Sequence, residues 1–293
     1  MNVGVIGLGS IGGAIAANLL ADGHALTVLD RDDARVEPLV SAGARSAADA
    51  AAVAAAAELT LLSLPTPEIV DGVGTEWSRG AAPGSVLLDL STNAPSSVRA
   101  LGERLANAGL TLVEAPLTGG EPGARARKLV FFVGGDAATV KRVRPILDSL
   151  GRATFHVGPL GAGNTAKLVN SLVAFTTTWV SLEGLSIAAK AGLDLPLMID
   201  AIRTAGASNF YVDKVVDGLD QRGRPVQFAI ELAAKDARLV TALASELGLP
   251  APVADTIANG LTAAAEGGLG ARDWSDLVEW IEHQAEVVLR LRA

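Results

Sequence analysis

The chain contains no cysteine. Disulfides, thiolate metal sites and thiol nucleophiles are therefore excluded, and so is oxidation of an aldehyde through a thioester. Histidine is nearly as scarce: His24, His156 and His283 are the only ones, far apart in sequence. Neither a histidine-built metal site nor a Ser-His-Asp triad is easily assembled from them, and no metal is expected. Aromatic residues make up only 4% of the chain, so the core must be built from small and branched aliphatic side chains. Positive charge is in deficit, with 24 Lys and Arg against 32 Asp and Glu and a net charge of -8. An acidic protein gains nothing from counterion release on nucleic acid or anionic lipid. Neither is an expected partner, and an anionic small molecule would need a local positive site. No apolar run reaches the roughly 18 residues that span a bilayer. No basic residue precedes the apolar stretch 3–20, so a cytoplasmic location is expected.

With 49% hydrophobic and 19% charged residues over 293 positions, the chain has material for a sizeable core and for two domains. Its first half alternates short aliphatic runs at 3–6, 25–30, 59–64, 86–90, 111–114, 129–133 and 153–156 with helical patterns such as 11–22, 33–42, 95–108 and 137–150. The Ala-rich run 47–57 also reads as a helix former. Continuously apolar strands separated by helices predict a parallel sheet covered on both faces, the doubly wound α/β arrangement. The pattern changes near 158–163. Beyond it only helices are expected, at 164–191, 196–205, 209–219, 227–247, 252–266 and 275–291. The fold class is thus an N-terminal Rossmann domain, 1–162, followed by an all-α domain, 163–293. The first helix of the second half is apolar nearly all round, which predicts burial at the heart of that domain.

Gly7-Leu8-Gly9-Ser10-Ile11-Gly12 follows the first strand and opens the first helix. Gly7 permits the tight turn, Gly9 admits a pyrophosphate to the backbone, and Gly12 lets helix and strand pack closely. Free N–H groups at the helix start would hold the pyrophosphate. Asp30 ends the second strand, 23 residues after Gly7, where an acid binds ribose hydroxyls and repels a 2′-phosphate. Arg31 beside it could pair such a phosphate. NAD is favoured and NADP left open. Leu64-Pro65 and the Asp89-to-Asn93 segment, with Thr92, leave the ends of buried strands and border the expected crevice. Each is equally readable as a plain turn.

The sharpest anomaly is a polar stripe in the long apolar helix: Asn164, Lys167, Asn170 and Ser171, at i, i+3, i+6 and i+7. Lysine is rarely buried without a partner or a task. Desolvation and the positive helix start would both lower the pKa of Lys167 towards values useful for proton transfer. The plain alternative is a lysine snorkelling to the surface. Thr118-Gly119-Gly120 offers a hydroxyl and two glycine N–H groups that can cradle a carboxylate, or form an ordinary turn.

Taken in order, the glycine fingerprint, Leu64-Pro65, Asp89-Leu90-Ser91-Thr92, Ala115-Pro116-Leu117-Thr118-Gly119-Gly120, the Gly161-to-Asn170 stretch and Lys235-Asp236 resemble the β-hydroxyacid dehydrogenases. That family includes 3-hydroxyisobutyrate dehydrogenases and is related to 6-phosphogluconate dehydrogenase. The resemblance covers essentially the whole chain. It implies hydride transfer between a nicotinamide cofactor and a small anionic β-hydroxyacid or its semialdehyde, with Lys167 as general acid/base. It further implies that Thr118, Gly119 and Gly120 bind the substrate carboxylate, that Asn170 positions the substrate, and that Lys235 lies at the cofactor–substrate junction. A homodimer or homotetramer through the helical domains is implied as well, and 208–211 would shape the substrate site.

Three departures stand out. Thr118 replaces the family's usual serine, and Ser171 takes the place of a second asparagine, inheriting a substrate role. Arg127-Lys128, with Arg125, replaces Gly-Thr before a strand and suggests a subsite for a second anionic group, or merely a solvated loop. Two rival functions are an imine reductase-like enzyme on the same fold, against which Lys167 argues, and a nucleotide-binding sensor without turnover, against which the whole polar stripe argues.

Overall fold

Strands of a parallel sheet covered on both faces must be apolar on both, and those at the centre of this sheet are. The computed structural model describes residues 1–219 and 221–291. Nine strands form one sheet: β1 (Asn2–Ile6), β2 (Ala25–Leu29), β3 (Arg45–Ser46), β4 (Leu59–Leu62), β5 (Val86–Asp89), β6 (Thr111–Glu114), β7 (Leu117–Thr118), β8 (Leu129–Gly134) and β9 (Gly151–Gly158). The order is β3-β2-β1-β4-β5-β6-β8-β7, with β9 paired to β8. From β3 to β6 every pairing is parallel. Alternate residues serve opposite faces. Val3, Val5, Leu59, Leu61, Val86, Leu88 and Val113 join one core, while Ile6, Leu62, Leu87 and Leu112 join the other.

Helices α1 (Ser10–Ala21), α2 (Asp33–Ser41), α3 (Ala50–Ala56), α4 (Pro67–Trp77), α5 (Pro95–Asn107), α6 (Gly120–Arg125) and α7 (Ala137–Leu150) connect the strands. Ile15, Leu19, Val143 and Leu147 cover the first face; Val53, Trp77, Leu101 and Leu105 cover the second. Asp32, Asp49, Thr66 and Asp136 cap α2, α3, α4 and α7 by accepting from first-turn N–H groups.

The remaining helices are α8 (Ala162–Lys190), α9 (Leu195–Thr204), α10 (Phe210–Leu219), α11 (Ile230–Glu246), α12 (Pro252–Ala264) and α13 (Leu277–Ala285). The packing separates two compact units, Met1–Lys167 and the chain from Leu168 onward, with the division inside α8. The core of the second unit is lined by Phe175, Leu182, Leu185, Ile199, Val216, Ile230, Leu261 and Leu277.

Several expectations need correction. The short strands β3 and β7 carry too little apolar pattern to stand out, and β8 runs antiparallel to both β6 and β7. Helix α11 starts at Ile230, not at 227, because Asp273 accepts the N–H groups of Gln227 and Phe228 and holds them outside the helix. The last helix, expected over 275–291, ends at Ala285, where Glu286 turns left-handed at φ 51°. Ala229 and Asp273 form an isolated bridge, but no strand occurs after β9 among the described residues.

Helix α8 departs most from expectation. It is not buried all round: Val169, Val173, Val180 and Ile187 are 57, 57, 56 and 71% exposed. Their spacing of 4, 7 and 7 residues makes one apolar seam along a helix. By length and mean hydropathy α8 is also long and apolar enough to cross a membrane, contrary to the expectation that no apolar run reaches that length; its scattered polar residues interrupt the run without offsetting its mean hydropathy. Its opposite side carries Phe175, Leu182 and Leu185 into the core of the second unit.

Candidate active site

The glycines of the first loop answer to different neighbours. Gly7 adopts φ +89°, and a Cβ there would collide with the Ser63 carbonyl; a Cβ on Gly12 would collide with the carbonyl of Gly7. A Cβ on Gly9 would meet only the Arg35 guanidinium, at 3.8 Å. Nothing in the protein itself requires glycine at position 9, whereas a pyrophosphate drawn against the backbone would. Helix α1 starts with no side-chain cap and no acidic residue in its first turn. These features fit a dinucleotide phosphate.

Asp30 is nearly buried and internally bonded. Its Oδ2 accepts the Leu8 N–H at 2.6 Å and its Oδ1 the Asp32 N–H at 2.9 Å. Arg35 stands 3.8 Å from Oδ2, while Arg31 is exposed. Sequence reasoning missed Arg35, which the helical turn of α2 brings back over the loop. Leu8 is buried and Ile11 packs against the core, so their side chains are structural, and the Leu8 N–H is donated to Asp30. Ser10 is exposed at the helix start.

The segments leaving β4 and β5 are tied together. Leu64 N–H donates to Ser91 Oγ at 3.0 Å. Ser91 N–H and Asn93 Nδ2 donate to the two oxygens of Asp89, at 2.9 and 2.6 Å. Thr92 is held between these anchored neighbours and is half-buried; Pro65 is exposed. Burial raises the pKa of Asp89 to about 7, with a contribution from the charge of Glu114 and in spite of the bonds from Ser91 and Asn93.

Glu114, the last residue of β6, anchors the start of α8. Its Oε1 accepts the N–H groups of Gly161 (2.5 Å) and Gly163 (2.9 Å). Its Oε2 accepts the N–H (3.1 Å) and Nδ2 (2.5 Å) of Asn164. Asn164 Oδ1 in turn accepts the Asn93 N–H at 2.7 Å. Desolvation pushes the Glu114 pKa up against these four bonds. A Cβ on Gly134 would collide with Glu114 Oε1, and one on Gly163 would lie 2.6 Å from the Phe132 carbonyl. Three residues beyond Asn164 stands Lys167, half-buried. Sequence reasoning placed Asn164 on the polar stripe and Asp89 in a segment bordering the crevice, but assigned no role to Glu114 and no bond between these residues.

Thr118 ends β7, opposite Val130. Gly119 and Gly120 take φ +124° and +62°, so both positions demand glycine. In the basic cluster beyond them, Arg127 is taken up by bonds within the protein. That residue, itself left-handed at φ 56°, donates to both carboxylate oxygens of Asp22 and to the carbonyls of Asn18 and Ser149. Its guanidinium braces α1 to the end of α7. Arg125 pairs with Glu121, one turn back on α6, and Lys128 is exposed.

In the second unit, Asn170 is half-buried, and the buried Ser171 Oγ has no hydrogen-bond partner. Lys235 lies on α11 with Nζ 2.8 Å from the buried Asp236. In the 208–211 segment Asn209 caps α10, accepting from Tyr211 and Val212 N–H, and Phe210 is exposed. Among the described residues no acid–histidine cluster suited to a metal occurs.

A doubly wound sheet with this glycine loop, and a helical unit after it, define a nicotinamide-dinucleotide oxidoreductase. Residues 2–158 match the family model described as the NAD binding domain of 6-phosphogluconate dehydrogenase, and 161–281 match that described as the NAD-binding of NADP-dependent 3-hydroxyisobutyrate dehydrogenase. The chain belongs to the β-hydroxyacid dehydrogenase family. It is 36% identical to 3-hydroxyisobutyrate dehydrogenase of Pseudomonas aeruginosa over 71% of each chain. It is 30% identical to 2-(hydroxymethyl)glutarate dehydrogenase of Eubacterium barkeri over 98% of this chain and 97% of that one. Among solved structures, Mycobacterium tuberculosis 3-hydroxyisobutyrate dehydrogenase with L-serine superposes with a TM-score of 0.89 at 26% identity, covering 96% of this chain and 98% of that one.

Proposed function

We propose that this protein oxidises a small β-hydroxyacid, of the 3-hydroxyisobutyrate type, to the semialdehyde or keto form, and catalyses the reverse, with NAD as the preferred cofactor. The observation that carries the reading is Lys167 on the polar stripe of α8, one turn beyond the helix start that Glu114 anchors to the sheet. The bound nicotinamide supplies the hydride acceptor or donor. Lys167 as a neutral amine takes the hydroxyl proton, and as an ammonium returns it to the forming alkoxide. Thr118 Oγ1 and the N–H groups of Gly119 and Gly120 hold the carboxylate. Asn170 and Ser171 orient the substrate, and Lys235 adds positive charge where the net charge of the protein opposes an anion.

Preference for NAD is supported by the Asp30 carboxylate at the end of β2, which disfavours a 2′-phosphate; the neighbouring guanidinium of Arg35 tempers that repulsion. On this reading 1–162 binds the dinucleotide, while 163–293 supplies substrate contacts and the association surface of a homodimer or homotetramer. The exposed seam of α8 supports such an association.

The test is nicotinamide absorbance with a panel of small hydroxyacids and both cofactors. Lys167→Ala is expected to lower kcat by about 10²- to 10⁴-fold while cofactor affinity, read by fluorescence titration, is retained. A variant that turns over at the wild-type rate refutes the assignment.

A further inference from the structure

The bonds around Asn164 form one buried chain through the first unit. It begins at the Leu64 N–H, which donates to Ser91 Oγ, and continues through Asp89 and Asn93. The Asn93 N–H reaches Asn164, and Asn164 reaches Glu114. Asp89, Ser91, Asn93, Glu114 and Asn164 are 1, 5, 1, 0 and 0% exposed. A helix start needs no such apparatus. One surface Ser, Thr or Asp at the N-cap satisfies it, as Asp32 and Asp136 do elsewhere in this chain.

Burying carboxylates beneath α8 opposes stability through desolvation. Geometry is what the arrangement secures. Asn164 is the only member that touches both sides: its Oδ1 holds the loop that contains Thr92, and its N–H and Nδ2 hold the strand end that fixes the first turn of α8. Residues 164 and 167 share a helix face one turn apart, so a rotation or slide of that turn is transmitted directly to Lys167.

We propose that Asn164 is a positioning residue of the reaction, setting the distance between the Thr92 loop and Lys167 by bridging Asn93 and Glu114. The proposal rests on the assignment of Lys167 as acid/base. Its polarity is testable because each contact has a direction. Asn164→Asp keeps the acceptor for the Asn93 N–H but sets an oxygen against Glu114. Adding Glu114→Gln turns that clash into a donated bond of reversed direction and restores the original net charge, while the backbone N–H of residue 164 loses its Oε2 acceptor.

Steady-state kinetics on the hydroxyacid found active, with the cofactor dissociation constant and Tm of each variant, tests the idea. A displacement of about 1 Å at a reacting group is enough to cost on the order of 100-fold. N164D is therefore expected to lose at least about tenfold in kcat, with little change in KM or cofactor affinity. The N164D/E114Q pair is expected to regain part of it, measured against Glu114→Gln alone. If N164D does not fold, Asn164→Ala, which introduces no charge, carries the same expectation for kcat.

Wild-type kcat in N164D or N164A overturns the proposal. So does a loss from N164D that is as large in the E114Q background as in the wild type, although the double variant folds and binds cofactor. A wild-type enzyme inactive on every acid fails the Lys167 reading and this one with it, whereas an active wild type beside unaffected Asn164 variants fails this one alone.

Discussion

Asp89 and Glu114 stand opposite one another in register on neighbouring parallel strands, each the last residue of its strand and each buried. Both carry pKa values raised by burial, Asp89 to about 7. In the unfolded chain Asp89 titrates near its ordinary value of 3.8, so between roughly pH 4 and pH 7 the folded state binds more protons. Stability is therefore greatest at the acid end of that window and falls as pH rises through 7, and Glu114 adds in the same direction. Thermal unfolding at intervals from pH 5 to 8 should show Tm declining, with a shallower decline in Asp89→Asn. A Tm that rises steadily over this range in wild type would contradict the raised pKa.

Two glycines of α8 should respond oppositely to alanine. Gly163 meets the Phe132 carbonyl, the Gly134 nitrogen and the Glu114 carboxyl carbon, none of which can yield cheaply; Gly184 meets nothing within 4 Å. Gly163→Ala is expected to destabilise by about 1–3 kcal/mol through overpacking. Gly184→Ala is expected to stabilise by up to about 1 kcal/mol, the difference in helix propensity. Chemical denaturation of both variants checks the pair.

Arg127→Ala tests whether the basic cluster is structural. Removing a partly exposed ion pair and two bonds to carbonyls should cost about 1 kcal/mol and lower Tm by about 2–4 °C in a chain of this size. Activity on any anionic substrate should be unchanged. A selective loss of affinity for dianionic substrates, with Tm intact, would support the anion subsite.

The exposed seam of α8 makes a prediction about association. Light scattering is expected to show a dimer or tetramer in wild type. Charged substitutions at its centre, Val173→Lys with Val180→Glu, should shift it to a smaller species. Unaltered mass in the double variant would place the association surface elsewhere.

What the sequence disclosed follows from where the determinants lie. The strand–glycine–helix unit and Asp30 were legible because one short stretch contains all of it, and a fixed spacing carries its meaning. The parallel pairing of β1, β2, β4, β5 and β6 followed from the apolar character of those strands. The Asp89–Asn93–Asn164–Glu114 chain was not legible, since its members are up to 75 positions apart and their meeting depends on the sheet closing first. The pairing of Arg127 was hidden for a similar reason: three basic residues within four positions are conspicuous, while the acid that neutralises one of them, Asp22, lies more than a hundred residues away. The exposure of α8 was hidden because an apolar seam reads alike whether a core or another surface covers it.

The bond from the Leu8 amide to the Asp30 carboxylate has a further consequence for anyone redesigning nucleotide choice. The acid that would discriminate between the two nucleotides is also a strut of the phosphate-binding turn. Replacing it to admit a 2′-phosphate would slacken the backbone that grips the diphosphate, so preference and grip should change together unless a second substitution re-braces the amide at Leu8.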